Sequence, residues 1–338
     1  MAENVIDQIV AQLRESASGN YPSHAELRNV RVVGHTPKTD HYIYDIVMDF
    51  ADGSERVAAK VYRARNGGNQ ARAQARTETE NLDRVHRIFE KKGLVGVPRP
   101  LGNFTELGAV VAEKFSGVPL QSIIMKAALL PGYGANGSIG VAARKAGEWL
   151  RNFHKATAET PVAFDPAQVL TDLEKICQNC RGEGLDENAI RVILNGTRGI
   201  LARSRKTMPA SAVLNDFTPL NVIIGEKGIG VSDYAHMSQH AMSAHDVAHF
   251  LACIEALEKY PFCNRGITTE VQQEFCEGYG VTAADQAILR VLKMKILLGM
   301  FAQGRTVKEN AVRKKVMWAT VMKRFIQQAA NRSLAPAA

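Results

Sequence analysis

The 338-residue sequence has few cysteines and no long apolar run. Five cysteines are too few for the disulfide framework of a small secreted domain, and no apolar run approaches the roughly 18 residues that a membrane-spanning helix requires. The acidic start Met1-Ala2-Glu3 lacks the basic cluster of a signal peptide, and no long apolar segment follows it. Together these absences predict a soluble, cytoplasmic protein.

Several common catalytic and binding signatures are also missing. The sequence has no GxxxxGK[ST] phosphate loop and no GxSxG nucleophile elbow. Gly228 and Gly230 lack the third glycine of a dinucleotide fingerprint. Cys177 and Cys180 form a Cys-x-x-Cys pair, but a structural zinc site needs a second pair. We therefore expect these two cysteines to be small packing residues of a helix.

The charge balance is basic, because 42 Lys and Arg against 34 Asp and Glu give a net charge of +8. A field of this sign favours anionic partners without identifying one. The basic residues fall in short groups that are typical of solvated helix and loop faces. These groups are Arg63, Arg65, Arg72 and Arg76, and Arg313, Lys314, Lys315, Lys323 and Arg324. Nucleic acid is therefore not the expected partner, although a basic nucleic-acid-binding protein is kept as an alternative.

Hydrophobic periodicity predicts a sheet-rich N-terminal part. Apolar residues at helical spacing over residues 5–13 predict a short amphipathic helix. Strands are then expected at 29–34, 41–50 and 56–62, and their short links predict an antiparallel meander. A long helix over 71–92 and a short strand over 110–115 complete this part.

The rest of the sequence is mainly helical in pattern. Helices are expected at 141–157, 167–181, 188–203 and 286–330. One strand-like segment at 212–234 interrupts them and predicts a compact β-hairpin. The predicted fold class is therefore α+β, with a sheet-rich part over 1–115 and a larger helical part over 116–338.

The most informative polar residues surround this hairpin. Asp216 and Asn221 lie five positions apart around Pro219, Asn221 opens the first strand, and Asp233 ends the second. A short hairpin brings Asn221 and Asp233 together at its open end, with Asp216 beside them in the preceding loop. Carboxylate and carboxamide oxygens suit Mg²⁺, and one carboxylate can instead orient or deprotonate a hydroxyl group. Taken alone, Asp216 and Pro219 are equally well explained as turn formers.

A second group lies in the third predicted strand. Ala58 and Lys60 are two positions apart and share one face of that strand. The small side chain of Ala58 leaves room for the planar base of a nucleotide, and the ammonium group of Lys60 can reach its phosphates. Glu78 or Glu80 in the following helix can hold Lys60 by an ion pair. Without those partners, Lys60 reads as a lysine of an edge strand that extends to solvent.

In this order, the residues resemble the aminoglycoside-phosphotransferase and choline-kinase-like group of the protein-kinase-like fold, over residues 30–251. The resemblance implies a bilobal α+β fold. A small antiparallel N-lobe over 1–115 would include the N-terminal helix, the sheet, one long helix and the hinge. A larger helical C-lobe over 116–338 would carry the catalytic loop and the metal-binding hairpin. ATP and Mg²⁺ are the implied cofactors.

The resemblance also assigns residues to the nucleotide. Lys60 matches the strand lysine that contacts the ATP phosphates, and Glu78 matches its helix partner. The segment 110–120 matches the hinge, where adenine is expected to meet the backbone of Glu113, Lys114 and Phe115.

For the reaction itself, Asp216 matches the catalytic aspartate, and Asn221 and Asp233 match the metal ligands. Asp246 matches an aspartate that supports the catalytic loop from a helix. Two positions depart from the family pattern. Leu214 stands where the family usually has a histidine that organises the loop, and residues 36–41 lack the glycine of a phosphate-binding lid.

The function implied is an ATP-dependent phosphotransferase whose acceptor is a hydroxyl group of a small molecule. Asp216 would act as the base, with Mg²⁺ on Asn221 and Asp233. The net charge of +8 argues against a polycationic aminoglycoside and favours a sugar, a glycan precursor or a similar metabolite. A catalytically weak pseudokinase with a regulatory or scaffolding role is the other alternative.

Overall fold

The computed structural model describes residues 2–64, 68–130, 137–182, 184–226, 228–258, 260 and 262–303. The chain divides into two compact units, Met1–Val118 with Ile223–Met237, and Pro119–Val222 with Ser238–Ala338. The segment Ile223–Met237, which carries the hairpin, belongs to the first unit. Within the described residues, no helix combines the length and the apolarity that crossing a membrane requires.

The described elements include both strands and helices. In chain order they are α1 (Ala2–Glu15), α2 (Ala17–Asn20), β1 (Leu27–Pro37), β2 (His41–Phe50), β3 (Ser54–Tyr62), α3 (Asn69–Lys91), β4 (Ala109–Glu113), β5 (Val118–Pro119), α4 (Leu120–Leu129), α5 (Ser138–Ala156), β6 (Glu159–Ala163), α6 (Pro166–Gly182), α7 (Glu187–Leu201), β7 (Thr207–Val213), β8 (Val222–Gly225), β9 (Gly228–Val231), β10 (Ser238–Met242), α8 (Ala244–Leu257), α9 (Arg265–Tyr279) and α10 (Gln286–Gln303).

The first unit is built on a four-stranded antiparallel sheet in the order β1-β2-β3-β4. The predicted meander is therefore confirmed, with β4 added at its edge. Because side chains alternate between the faces of a strand, Met48 of β2 and Ala59 of β3 belong to the core that also contains Leu13 of α1. Lys60 and Tyr62 belong to the opposite face of β3, where they bond to Glu78 of α3.

The described residues of the second unit include two apolar clusters. In one, the ring of Trp149 stacks on Phe153 at 5.5 Å and on Phe217 at 6.0 Å, and Phe250 stacks on Phe275 at 3.9 Å. Offset stacking of this kind adds to the free energy gained by burying the rings. Since Phe217 directly follows Asp216, the aromatic cluster anchors the loop that carries this aspartate.

The other cluster joins α6, α7 and α10 and contains Cys177 and Cys180, both buried. The Sγ atom of Cys180 donates to the carbonyl oxygen of Leu298 at 3.4 Å. The expectation that these cysteines pack inside a helix is therefore confirmed.

Sequence patterns missed several elements, among them α2, α4, β6 and β10. The residues of β6 and β10 are largely exposed or half-buried, so no alternation of apolar and polar residues marks them. The predicted helix over 286–330 is present from Gln286 to Gln303, and its remainder lies outside the described residues. Arg65 and the basic group at 313–324 also lie outside them.

Helices α5 and α9 approach each other through glycine. A Cβ atom at Gly147 would lie 2.3 Å from the carbonyl oxygen of Phe275, and one at Gly278 would lie 2.1 Å from that of Arg144. Both distances are far inside van der Waals contact with backbone atoms, which cannot move aside as a side chain can. The close packing of the two helices therefore depends on the absence of side chains at these positions.

We expect Gly147→Ala to lower the free energy of unfolding by about 2 kcal/mol through overpacking. The matched control is Gly199→Ala in α7, where an added Cβ would meet no atom within 4 Å. That substitution should stabilise the protein by about 0.5 kcal/mol, because alanine restricts the unfolded chain. Urea denaturation of both variants checks the prediction, and a Gly147→Ala variant as stable as Gly199→Ala would contradict it.

Candidate functional site

Lys60 lies near the C-terminal end of β3, where it is paired with Ile43 of β2 and Val110 of β4. Its Nζ atom lies 3.1 Å from Oε1 of Glu78 and 3.2 Å from Oδ1 of Asp233. Of the two glutamates expected as partners, the structure selects Glu78. Three residues singled out from the sequence are thus brought together within the first unit.

Helix α3 places two polar side chains on its buried face. That face repeats at helical spacing and contains Ala71, Ala75, Glu78, Asn81, Leu82, Val85 and Phe89. Asn81 lies one turn after Glu78, and its Nδ2 atom donates to the carbonyl oxygen of Tyr234 at 2.9 Å. The helix therefore holds both Lys60 and the segment that follows Asp233. Asn81 was not predicted from the sequence, although a carboxamide within an apolar helix stripe was the available signal.

The charges of this cluster depend on one another. Burial alone would raise the pKa of Asp233, but the Lys60 ammonium and the Ala235 amide outweigh it and hold that pKa below its ordinary value. Burial would likewise lower the pKa of Lys60, and the two carboxylates raise it instead. For Glu78, burial prevails and raises the pKa. The hydroxyl of Tyr62, which donates to Oε2 of Glu78 at 2.5 Å, is a further partner that the sequence did not indicate.

The predicted hinge residues lie at the end of β4 and directly after it, and Phe115 lies against the hairpin of the same unit. The Glu113 amide donates to the carbonyl of Arg99, and the Lys114 amide donates to that of Arg56, each at 2.9 Å. The ring of Phe115 lies against Gly230, where a Cβ atom would come within 2.2 Å of it. Strands β5, β8 and β9 form one small sheet, so the hinge and the strands leading to Asp233 share a support.

Ala58 lies on β3 between Asp45 of β2 and Ala112 of β4. The glycine-free loop between β1 and β2 is closed by other means. The Lys38 amide donates to the His41 carbonyl at 2.8 Å, and Nη2 of Arg63 donates to the Lys38 carbonyl at 2.8 Å. Charged and backbone contacts therefore order this loop without glycine.

In the second unit, Asp216 follows β7 on a loop that a buried carboxylate holds. Oδ2 of Asp246 accepts the Leu214 amide at 2.8 Å, and its Oδ1 accepts the Asn215 amide at 2.9 Å. Asp246 itself is fully buried, so these donors replace the water that it lost. The supporting contact that the resemblance implied for Asp246 is present.

A histidine also contributes to this support, but it comes from α5. Nε2 of His154 donates to Asp246 at 3.2 Å, and Nδ1 is hydrogen-bonded to the hydroxyl of Tyr279 at 3.0 Å. Leu214, which stands at the usual histidine position, is buried and offers only its backbone amide to Asp246. The departure at Leu214 thus leaves the loop anchored.

Asn221 and Asp216 are in direct contact. Nδ2 of Asn221 donates to the backbone carbonyl of Asp216 at 3.0 Å and to its Oδ2 at 3.1 Å. Between them, the Thr218 amide donates to the Asp216 carbonyl and the Asn221 amide donates to the Thr218 carbonyl. Successive tight turns around Pro219 therefore bring the two polar side chains together, as the sequence predicted. The Asp216 side chain remains 41% exposed.

Neither a family model nor a curated protein matches the chain at the sequence level. Solved structures resemble it in fold. A glucosamine kinase in complex with glucosamine, ADP and inorganic phosphate has a TM-score of 0.56 at 14% identity, covering 94% of this chain and 97% of that chain. A spectinomycin phosphotransferase in complex with ADP and spectinomycin has a TM-score of 0.53 at 13% identity, covering 96% and 98%.

An amicoumacin kinase with bound AMP-PNP and Ca²⁺ is similar too, with a TM-score of 0.52 at 14% identity over 98% of this chain and 96% of that chain. The likeness extends over nearly the whole length of each protein. The chain therefore has the protein-kinase-like α+β fold that these small-molecule kinases share, and the predicted fold class is confirmed.

The lysine cluster generates a stability prediction. Lys60→Met leaves Glu78 and Asp233 without their cation, so we expect the free energy of unfolding to fall by about 3 kcal/mol at pH 8. A buried carboxyl group that has lost its cation has a folded-state pKa above its unfolded-state pKa. It therefore favours unfolding increasingly as the pH rises through that interval, and the deficit should shrink between pH 8 and pH 5.

Adding Glu78→Gln to the Lys60→Met variant removes one of the two unpaired carboxylates and should restore most of the lost free energy of unfolding. The control is Lys91→Met, at an exposed position in the last turn of α3, which should change stability little. Urea denaturation at both pH values measures these effects. Equal losses of stability in the Lys60 and Lys91 variants would contradict this account of the cluster. So would a loss in the Lys60 variant that is the same at pH 8 and pH 5.

Proposed function

We propose that the protein transfers the γ-phosphoryl group of ATP to a hydroxyl group of a small molecule. The observation that carries the proposal is the cluster of Lys60, Glu78 and Asp233, in which a nearly buried ammonium is held between two carboxylates. The fold supports it, since the similar structures are small-molecule kinases and phosphotransferases with bound ADP or AMP-PNP. An intact set of Lys60, Asp216, Asn221 and Asp233 favours an active enzyme over a pseudokinase.

The nucleotide is assigned to residues of the first unit. Lys60 would bind phosphate oxygens, while Glu78 and Tyr62 keep its ammonium in place. Ala58 leaves space for the adenine ring. Because the amides of Glu113 and Lys114 already donate to the carbonyls of Arg99 and Arg56, the Phe115 amide is the hinge donor that we assign to adenine.

Asp233 and Asn221, the two predicted metal ligands, each offer the kind of oxygen atom that Mg²⁺ binds. Oδ1 of Asp233 accepts from Lys60 and Ala235, whereas Oδ2 has no hydrogen bond to any residue that the structure describes. The Nδ2 atom of Asn221 donates to Asp216, so the Oδ1 atom of the same carboxamide points away from Asp216. Mg²⁺ takes hard oxygen ligands such as these together with substrate phosphates. When bound, MgATP supplies the electrophilic phosphorus and neutralises the charge of the transferred group.

Asp216 is assigned as the base of the reaction. Its carboxylate is partly exposed and is oriented by Asn221. In this role it would hold the acceptor hydroxyl toward the γ-phosphorus and take its proton as the new O–P bond forms and the bond from the γ-phosphorus to the bridging oxygen of the leaving ADP breaks. Lys60 stabilises the negative charge on the phosphoryl oxygens.

The charges of the second unit bear on the acceptor. Residues 156–205 contain six Lys and Arg against seven Asp and Glu, so this region is balanced rather than basic. Each of the six acids that the structure describes there already has a partner. The pairs are Glu159 with His240, Asp165 with the Ala167 amide, Asp172 with Lys295, Glu174 with Arg198, Asp186 with the Ala189 amide and Glu187 with Arg181. A polycation would have to break such pairs, which favours a neutral or anionic acceptor such as a sugar.

Asp216→Asn should lower kcat by about 10³-fold or more while ATP still binds, because only proton acceptance in the transition state is removed. The matched control is Asp165→Asn, an exposed residue whose side chain accepts the Ala167 amide, a bond that asparagine also makes. The measurements are ADP release with acceptor and calorimetric titration with ATP. Near-normal turnover in Asp216→Asn would reject this assignment.

An acceptor screen tests the charge argument. We expect ADP release with neutral or phosphorylated sugars and little with kanamycin-type aminoglycosides. The screen should be run at low and at physiological salt, since salt screens any long-range field over about 8 Å. Efficient aminoglycoside turnover with inert sugars would show that the acceptor is a polycation.

A further inference from the structure

Asn215, the residue before Asp216, has a backbone φ of +62°, in the left-handed region that few residues other than glycine adopt. Three of its polar groups are bound. Its amide donates to Asp246 at 2.9 Å, its Nδ2 atom donates to Oγ of Ser238 at 2.8 Å, and its carbonyl accepts from Nδ1 of His249 at 2.8 Å. A conformation of this kind persists where the surroundings hold it in place. These contacts therefore fix the direction in which the side chain of the next residue, Asp216, projects from the backbone.

His249 contacts both Asn215 and Asp216. A carbonyl oxygen only accepts hydrogen bonds, so Nδ1 of His249 must carry the proton of that bond. Its other ring nitrogen, Nε2, lies 3.9 Å from Oδ1 of Asp216. This is too long for a direct hydrogen bond but places the edge of the imidazole against the carboxylate.

Helix α8 therefore holds the loop at two points on one of its faces. Asp246 and His249 are three positions apart, a spacing that puts side chains on the same side of a helix. Asp246 binds amide donors of the loop, and His249 binds a carbonyl acceptor. With donors and acceptors both satisfied, Asn215 cannot rotate its peptide groups without losing a bond on each side.

Two other titratable groups of α8 lie near His249. His245 packs edge-on against it at 6.1 Å, and burial lowers the pKa of His245. Cys253 follows on the same helix, and burial, with a contribution from the Asp216 carboxylate, raises the pKa of its thiol to about 12. Both groups are thus neutral near pH 7.

We propose that His249 is a positioning residue for Asp216 that fixes the Asn215 carbonyl and the orientation of the carboxylate. It supplies from α8 the loop contact that Leu214 cannot make with its apolar side chain. This inference rests on the proposed phosphotransferase function, because the consequence of positioning is measured in turnover.

The test compares His249→Leu with His249→Asn. Leucine removes the Nδ1 donor, whereas the Nδ2 atom of asparagine occupies a similar place and can still donate to the Asn215 carbonyl. We expect kcat to fall by about 30- to 100-fold in His249→Leu, as misplacement of a catalytic group by about 1 Å does. His249→Asn should recover most of that loss, and KM for ATP should change little in either variant.

The matched control is His240→Leu on β10, an exposed histidine paired with Glu159, which should leave kcat unchanged. In an Asp216→Asn background, His249→Leu should cause no further loss, because the carboxylate that it positions is already gone. A fully active His249→Leu variant, or equal losses in the leucine and asparagine variants, would overturn the proposal.

A spectroscopic measurement separates the bond from the function. Nitrogen-15 NMR of the histidine rings in the full chain should show His249 as the Nδ1–H tautomer at neutral pH, and this does not depend on activity or on a variant that folds. The opposite tautomer would overturn the proposal. A parent protein that shows this tautomer but no acceptor-dependent ADP release would instead reject the phosphotransferase function.

Discussion

The side chain of Lys60 is charged although only 15% of it is exposed, and the carboxylates of Glu78 and Asp233 compensate for this burial. An unpaired ammonium at this depth would lose several kcal/mol of hydration. The central strand, the long helix and the hairpin of the first unit each supply one member of the cluster. The buried cation and its partners therefore link these three elements.

Helix α3 shows how the requirement is met. Its apolar stripe would bury the helix without Glu78 and Asn81, and both residues carry a desolvation cost. Glu78 is compensated by Lys60 and Tyr62, and Asn81 by the carbonyl of Tyr234. A buried ion pair of this kind contributes little net stability, so its value lies in holding the ammonium at a defined place.

The second unit uses the same principle around a buried anion. Asp246 accepts two backbone amides and a histidine, and the aromatic cluster holds Phe217 next to Asp216. The strained Asn215 sits between these supports, and His249 completes them. Groups from α5 and α8 thus help to order the loop, which explains how Leu214 is tolerated.

The amino-acid sequence by itself determined the antiparallel meander, the long helices and the pairing of Lys60 with a glutamate of the next helix. Local periodicity and short connections carry that information, and the contact of Asp216 with Asn221 follows from turns within a few residues. The roles of Tyr62, Asn81, His154 and His249 were decided only by the tertiary structure. Each acts across a long stretch of chain, between elements whose register no local pattern specifies, so an isolated polar residue on a helix gives no sign of the partner that folding brings to it.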